Sequence, residues 1–125
     1  MTASDHDDQH ADPLITELRR LSPKVTGGIL RARQAAYADG SVPSRVKLLT
    51  ALAISIAIRC EPCIQSYVKM VVDRGATQAE FIEILNVAIA MQGCPGEEWA
   101  LKAFKVYREC VSGTHSSEAN MCCTH

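Results

Sequence analysis

Apolar residues recur every three or four positions along most of the chain, which is the spacing of one face of an α-helix. No segment alternates apolar and polar residues as a half-buried strand would. Proline, glycine and capping residues divide the pattern, and we predict helices over about residues 13–21, 24–38, 41–59, 60–75, 77–91 and 97–110. The predicted N-terminal caps are Asp12, Ser41 or Ser44, and a capping box at residues 77–80, "TQAE". The sequence therefore predicts an all-α fold, a bundle of about six helices.

The chain divides into one predicted domain and two polar ends. Its 125 residues suffice for a single hydrophobic core of ordinary size but not for two. Residues 1–11 are acidic and polar, and we expect a disordered arm there. Residues 112–125, "SGTHSSEANMCCTH", are polar and are expected to form a flexible tail that carries cysteines. The folded domain is thus predicted over residues 12–111.

Two of the predicted helices are apolar on nearly every face. They contain residues 48–58, "LLTALAISIAI", and residues 81–91, "FIEILNVAIAM". A helix of this kind is normally buried on all sides. A chain of this length has too few other residues to cover two such helices. We therefore predict a homo-oligomer.

Composition and charge narrow the possible partners. The formal net charge is -1, so the chain lacks the basic field that holds nucleic acid. Its longest apolar run, "VKLLTALAISIAI", spans about a dozen residues, whereas a membrane span needs roughly 20. The acidic N-terminus has none of the features of a secretory signal. We expect a cytoplasmic protein that binds neither nucleic acid nor membranes.

The motif "RCEPC" places two cysteines at the predicted start of a helix. On that helix Cys60, Cys63 and Tyr67 share a face. Backbone N–H groups at a helix start favour thiolate over thiol, and C-x-x-C thiols there are often redox-active. A structural zinc site needs about four ligands, and no second pair has this spacing. A redox pair is therefore the favoured interpretation, with zinc ligation and two inert buried cysteines as alternatives.

Several segments resemble one known superfamily. They are "DGSVPSRV", the apolar helix that ends in "RCEPCI", the turn "GATQAEFIE" and the loop "QGCPG". Over about residues 26–105 they resemble the carboxymuconolactone decarboxylase superfamily, especially its alkylhydroperoxidase D (AhpD)-like branch. The resemblance implies an AhpD-like helical bundle assembled as a trimer or hexamer.

The resemblance also implies a chemistry. Members of the AhpD-like branch are peroxidases or disulfide reductases in which the C-x-x-C is the redox centre. We therefore expect a hydroperoxide or disulfide substrate, a thiol protein or small dithiol as reductant, and no cofactor. Decarboxylase activity is not expected, because it does not rely on this cysteine pair.

The chain departs from the branch at the residues that relay protons. Members usually carry a Glu twelve residues before the first cysteine and a His four residues after the second. Here Leu48 and Tyr67 occupy those positions. The Tyr67 hydroxyl can still donate a hydrogen bond to a thiolate or peroxide oxygen. Lys47 adjoins the first position, but its side chain points about 100° away from that of its neighbour. We assign Cys63 as the attacking thiol and Cys60 as the resolving thiol.

Four further cysteines lie outside this motif. Cys122 and Cys123 are adjacent and suit a soft metal or metalloid ion, with His115 and His125 as possible co-ligands. A non-enzymatic metal-binding protein is therefore an alternative function, and a scaffold that has lost the chemistry is another. Cys94 is predicted in a Gly-Pro loop and Cys110 in the core, neither with an assigned role.

Overall fold

The computed structural model describes residues 12–113, which form six α-helices joined by short turns. The helices are α1 (Pro13–Leu21), α2 (Pro23–Tyr37), α3 (Ser44–Ala57), α4 (Glu61–Asp73), α5 (Gln78–Gln92) and α6 (Cys94–Ser112). Residues 12–113 contain no strand. The predicted all-α fold of six helices is confirmed.

Capping residues set several helix starts at the predicted positions. The Asp12 side chain accepts a hydrogen bond from the backbone N–H of Leu14 and caps α1. Thr77 and Glu80 form the predicted capping box of α5, in which each side chain accepts from the other residue's backbone N–H, both at 3.1 Å. These bonds satisfy N–H groups that have no partner within the helix.

We predicted that the side chain of Ser41 or Ser44 caps α3, but Asp39 provides the side-chain acceptor instead. The carboxylate of Asp39 accepts from the Ser44 backbone N–H at 2.8 Å. The buried Ser44 hydroxyl instead accepts from the Arg74 guanidinium at 3.2 Å. Because Arg74 follows the end of α4, this bond ties the beginning of α3 to that end.

The start of α6 lies three residues earlier than predicted. The segment "QGCPG" was expected to be a loop before residue 97, yet α6 begins at Cys94. Gly93 takes a positive φ of 70° and links α5 to α6, and Pro95 fits the first turn because its missing N–H has no helical partner there. At Gly96 the helices approach so closely that a Cβ would lie 2.9 Å from the Ala88 carbonyl oxygen.

The hydrophobic core lies among α3, α4, α5 and α6. Each of these helices contacts at least two of the others, and all four contribute buried side chains. The largest fully buried apolar residues are Leu48, Leu52, Ile56, Ile64, Val68, Val71 and Phe81. The Phe81 ring stacks on that of Tyr107 with 4.4 Å between centroids, which joins α5 to α6.

The first two helices stand apart from this core. α1 contacts α2, and α2 contacts α3, but neither contains a buried residue. The apolar face of α1 is therefore largely exposed in the single chain, with Leu14, Leu18 and Leu21 each at least 60% accessible.

The two apolar helices are likewise not covered on all sides by one chain. Ile54 and Ile58 at α3 and Val87 and Met91 of α5 are exposed. This exposure agrees with the expectation that one chain has too few residues to cover both helices, since α1 and α2 do not wrap them. The homo-oligomer inferred from these helices stays a prediction.

No helix within residues 12–113 is both long enough and apolar enough to cross a membrane. The predicted arm at residues 1–11 lies outside the described residues. So does the predicted tail, apart from Ser112, which is the last residue of α6, and Gly113, which caps that helix in the left-handed conformation.

Candidate functional site

The turn between α3 and α4 positions the first cysteine. Arg59 has a φ of 57°, the left-handed conformation that glycine usually adopts after a helix. The Cys60 N–H donates to the Ser55 carbonyl at 3.1 Å and the Arg59 N–H to the Ile56 carbonyl at 3.2 Å. These two bonds are the Schellman pattern that ends a helix. They reverse the chain so that Cys60 stands directly before α4.

The two cysteines of the C-x-x-C motif are joined by a disulfide. Cys60 is the N-cap of α4 rather than its first helical residue, and its Sγ accepts a hydrogen bond from the Cys63 backbone N–H at 3.3 Å. Cys63 lies in the first turn, and the two Cα atoms are 5.2 Å apart. Both residues are half-buried. The sulfurs predicted to face each other are therefore in bonding contact.

A cleft of about 570 Å³ opens among α2, α3 and α4, and Cys63 and Tyr67 line it. Most of its wall is apolar and comes from α3, including Ala51 and Ile54, with Ile58 just beyond. The cleft gives a small molecule access to Cys63, the cysteine assigned from sequence as the attacking thiol.

Tyr67 is held by a second tyrosine that sequence analysis did not single out. The hydroxyls of Tyr37 and Tyr67 are 2.5 Å apart, and their rings meet edge to face with 5.7 Å between centroids. Tyr37 is the last residue of α2 and also lines the cleft. Tyr67 is buried within α4, so this contact joins α2 to the wall that carries the cysteines.

Leu48, which the sequence resemblance places at the glutamate position, and its neighbour Lys47 point in different directions. Leu48 is 1% exposed and belongs to the core. Lys47 lines the cleft, and its Nζ donates to the Ala38 carbonyl at 2.7 Å. The helical rotation between neighbours thus keeps Lys47 out of the place that Leu48 occupies.

The remaining cysteines do not join this site in the described residues. Cys94 is exposed at the start of α6, and Cys110 is half-buried near its end. Burial raises the pKa of the Cys110 thiol, and the Asp73 carboxylate adds to that rise. At neutral pH Cys110 is therefore a protonated thiol that packs against the core.

The proposed metal ligands Cys122 and Cys123, and the flanking His115 and His125, lie outside the described residues. Within residues 12–113 no group of three or more His, Cys, Asp or Glu side chains is placed to hold a metal ion.

The described chain is thus a small all-helical fold with a disulfide-linked cysteine pair at a helix start, beside a cleft among three helices. Residues 23–106 match the carboxymuconolactone decarboxylase family, and the chain belongs to that family. The superfamily predicted from the sequence motifs is confirmed.

Similar proteins are known from several bacteria. An uncharacterised protein of Cupriavidus necator is 30% identical over 90 residues, which are 72% of this chain and 80% of that protein. Uncharacterised protein 4 in the cox locus of Paracoccus denitrificans is 29% identical over 99 residues, 79% of this chain and 89% of its own. The crystal structure of an apo carboxymuconolactone decarboxylase family protein from Legionella pneumophila aligns with a TM-score of 0.75 and 30% identity, covering 86% of this chain and 98% of that one.

Proposed function

We propose that the protein is a thiol-dependent oxidoreductase that reduces hydroperoxides or disulfides by cycling Cys60 and Cys63 between dithiol and disulfide. One observation carries this proposal: the sulfur pair closes at the start of α4, and one of its members lines a cleft large enough for a substrate. The sequence resemblance to the AhpD-like branch of the family supports the same activity.

In the oxidative half of the cycle Cys63 attacks. Its thiolate bonds to the terminal oxygen of a hydroperoxide, the O–O bond breaks, and the alkoxide takes a proton and leaves as an alcohol. The Cys63 sulfenic acid then loses water as the Cys60 thiolate attacks its sulfur. One hydroperoxide and two thiols thereby yield an alcohol, water and the disulfide.

In the reductive half the accessible sulfur is attacked again. A reductant thiolate bonds to Cys63 Sγ, and Cys60 leaves as a thiolate that the Cys63 N–H can stabilise at the helix N-cap. A second reductant thiol releases the mixed disulfide. A dithiol reductant supplies both electrons and becomes a disulfide itself.

Tyr67 takes the position of the histidine in the relay. Its hydroxyl is hydrogen-bonded to that of Tyr37 beside the cleft, and whichever of the two accepts this bond keeps its own hydrogen to donate to an oxygen bound there. Because a tyrosine is a weak acid, we expect it to act as a hydrogen-bond donor rather than as a general base that activates the thiol.

The proposal is tested by mapping where a hydroperoxide oxidises the reduced protein. After treatment with one equivalent of cumene hydroperoxide and iodoacetamide, trypsin cleaves after Arg59 and Lys69 and releases both cysteines in one peptide. We expect that peptide to be unlabelled and disulfide-linked, while Cys94 and Cys110 take the label. Oxidation of those two cysteines first would contradict the proposal.

Two single variants separate the roles of the pair. With Cys60→Ser, Cys63 should accumulate as a sulfenic acid that dimedone traps. With Cys63→Ser, oxidation of the remaining cysteine should be slow. The opposite pattern would overturn the assignment of Cys63 as the attacking thiol.

A further inference from the structure

The cleft that Cys63 lines combines apolar walls with cationic side chains. Ile54 and Ile58 supply apolar surface, and Arg33 and Lys47 line the same cleft from α2 and α3. Acidic side chains do not line it within residues 12–113. Its volume of about 570 Å³ lies in the range of pockets that hold small organic ligands.

Lys47 is the cation best placed to receive an anion. One of its three ammonium hydrogens is bonded to the Ala38 carbonyl at 2.7 Å, which fixes the head of the side chain at the cleft and leaves two donors. Among residues 12–113 no carboxylate lies within ion-pair distance of its Nζ. An ammonium with two unused donors at the cleft attracts a carboxylate and gains a charge-assisted hydrogen bond.

We propose that this cleft selects an amphipathic carboxylate, with its anionic head on Lys47 and its apolar body against Ile54 and Ile58. The inference rests on the proposed oxidoreductase function. It adds the substrate class, which is hydroperoxides of organic carboxylic acids. The reaction is the one balanced above: Cys63 takes the terminal oxygen of the hydroperoxy group, the hydroxy acid departs, and that oxygen is released as water when Cys60 closes the disulfide. The carboxylate takes no part in bond breaking and serves to hold the substrate in the cleft.

The charge requirement is measured by comparing an acid with its neutral ester. Single-turnover oxidation of the reduced protein is followed with linoleic acid hydroperoxide and with its methyl ester, both below their micelle concentrations. We expect the acid to react about tenfold faster, the effect of one charge-assisted hydrogen bond. Equal rates for the acid and the ester would overturn the inference.

Variants at position 47 assign that preference to one side chain. Lys47→Gln should bring the ratio of the two rates near one, and Lys47→Arg should keep the acid preferred because it retains the charge. Lys105→Gln removes the same charge from an exposed position on α6 and should leave the ratio as in the parent protein. A ratio unaffected by Lys47→Gln would contradict the proposal.

A binding measurement separates this inference from the proposed reaction. Decanoate, which cannot be reduced by thiols, is titrated calorimetrically into the oxidised protein and into its Lys47→Gln variant. Binding that the substitution weakens about tenfold would support carboxylate selection even if no hydroperoxide reacted, in which case the proposed function alone would fall. Absent binding, or equal binding by both proteins, would overturn carboxylate selection even if hydroperoxides were reduced.

Discussion

The Tyr67 side chain connects the reactive pair with the helix that covers it. It follows Cys63 by four residues on α4, and its hydroxyl meets that of Tyr37 at the end of α2. A phenol in this place can stabilise the oxygen that departs when a peroxide bond breaks. In thiol–disulfide exchange the leaving group is a thiolate rather than an oxygen anion, so the same hydroxyl should contribute little to the rate of the reductive half of the cycle.

Tyr67→Phe should therefore separate the two half-reactions. We expect hydroperoxide reduction to slow about tenfold, the effect of one lost hydrogen bond, while reduction of the disulfide by dithiothreitol changes less than about twofold. Stopped-flow kinetics of each half-reaction measures both. Tyr107→Phe is the matched control, because Tyr107 is equally buried at 6% exposure but lies in the α5–α6 core. Equal slowing of both half-reactions by Tyr67→Phe would argue for a structural role instead.

The sequence predicted some of these residues and could not predict others. Cys60, Cys63 and Tyr67 are neighbours along one helix, so local periodicity was enough to bring them together. Tyr37 lies 30 residues from Tyr67 and Lys47 faces a cleft formed by three helices. Their places depend on how α2 packs against α3, and no local pattern records that packing.

Two helix ends illustrate how backbone conformation shapes the site at the scale of an element. α4 ends with Gly75 at a φ of 79°, and its Schellman bonds, Gly75 to Val72 and Ala76 to Val71, are both 3.0 Å long. α3 ends in the same pattern with Arg59 in the glycine position. A side chain in the left-handed conformation costs roughly 1–2 kcal/mol. The turn that presents Cys60 is therefore held in a less favourable conformation than its counterpart.

Arg59→Gly should raise the free energy of unfolding by about 1 kcal/mol, because glycine adopts positive φ without strain. Thermal unfolding of the reduced protein should shift upward by about 4–8 °C. Gly75→Ala is the converse control: an added Cβ would have no atom within 4 Å, so strain alone should destabilise that variant by a similar amount. A lower melting temperature for Arg59→Gly would show that the arginine side chain stabilises the turn.

Element boundaries were predictable where a side chain caps the helix and less so where proline and glycine interrupt it. The capping box at Thr77 and Glu80 is encoded within four residues. The sequence around Gly93 and Pro95 is equally compatible with a loop and with a one-residue linker followed by the start of a helix. Close packing of α6 on α5 at Gly96 accompanies the shorter connection.

At the scale of the molecule, large apolar side chains are exposed on α1, α3 and α5 within residues 12–113. Leu14, Leu18 and Leu21 of α1 are exposed, as are Ile54 on α3 and Met91 on α5. An apolar helix face left exposed, such as that of α1, often marks an interface. The trimer or hexamer expected from the sequence resemblance remains a prediction, and the exposed face of α1 is where substitutions can test it.

Light scattering after gel filtration should give a mass of about 41 or 82 kDa, since one chain is 13.6 kDa. Leu18→Glu should lower that mass without loss of helical circular dichroism, because this side chain is 60% exposed in the single chain. Gln34→Glu adds the same charge to an exposed position on α2 and should leave the mass unchanged. A parent protein of 13.6 kDa in solution would refute the oligomer.

The difference in burial between α4, which lies in the core, and α2, which lies outside it, has an evolutionary consequence. Cys63 and Tyr67 belong to a helix with five buried residues, whereas α2, which supplies Arg33 and Tyr37, has none. Replacements on α2 can therefore remodel what enters the cleft while the four-helix core keeps its stability. Descendants of one such ancestor could diversify in the compounds they accept and still retain the same sulfur chemistry.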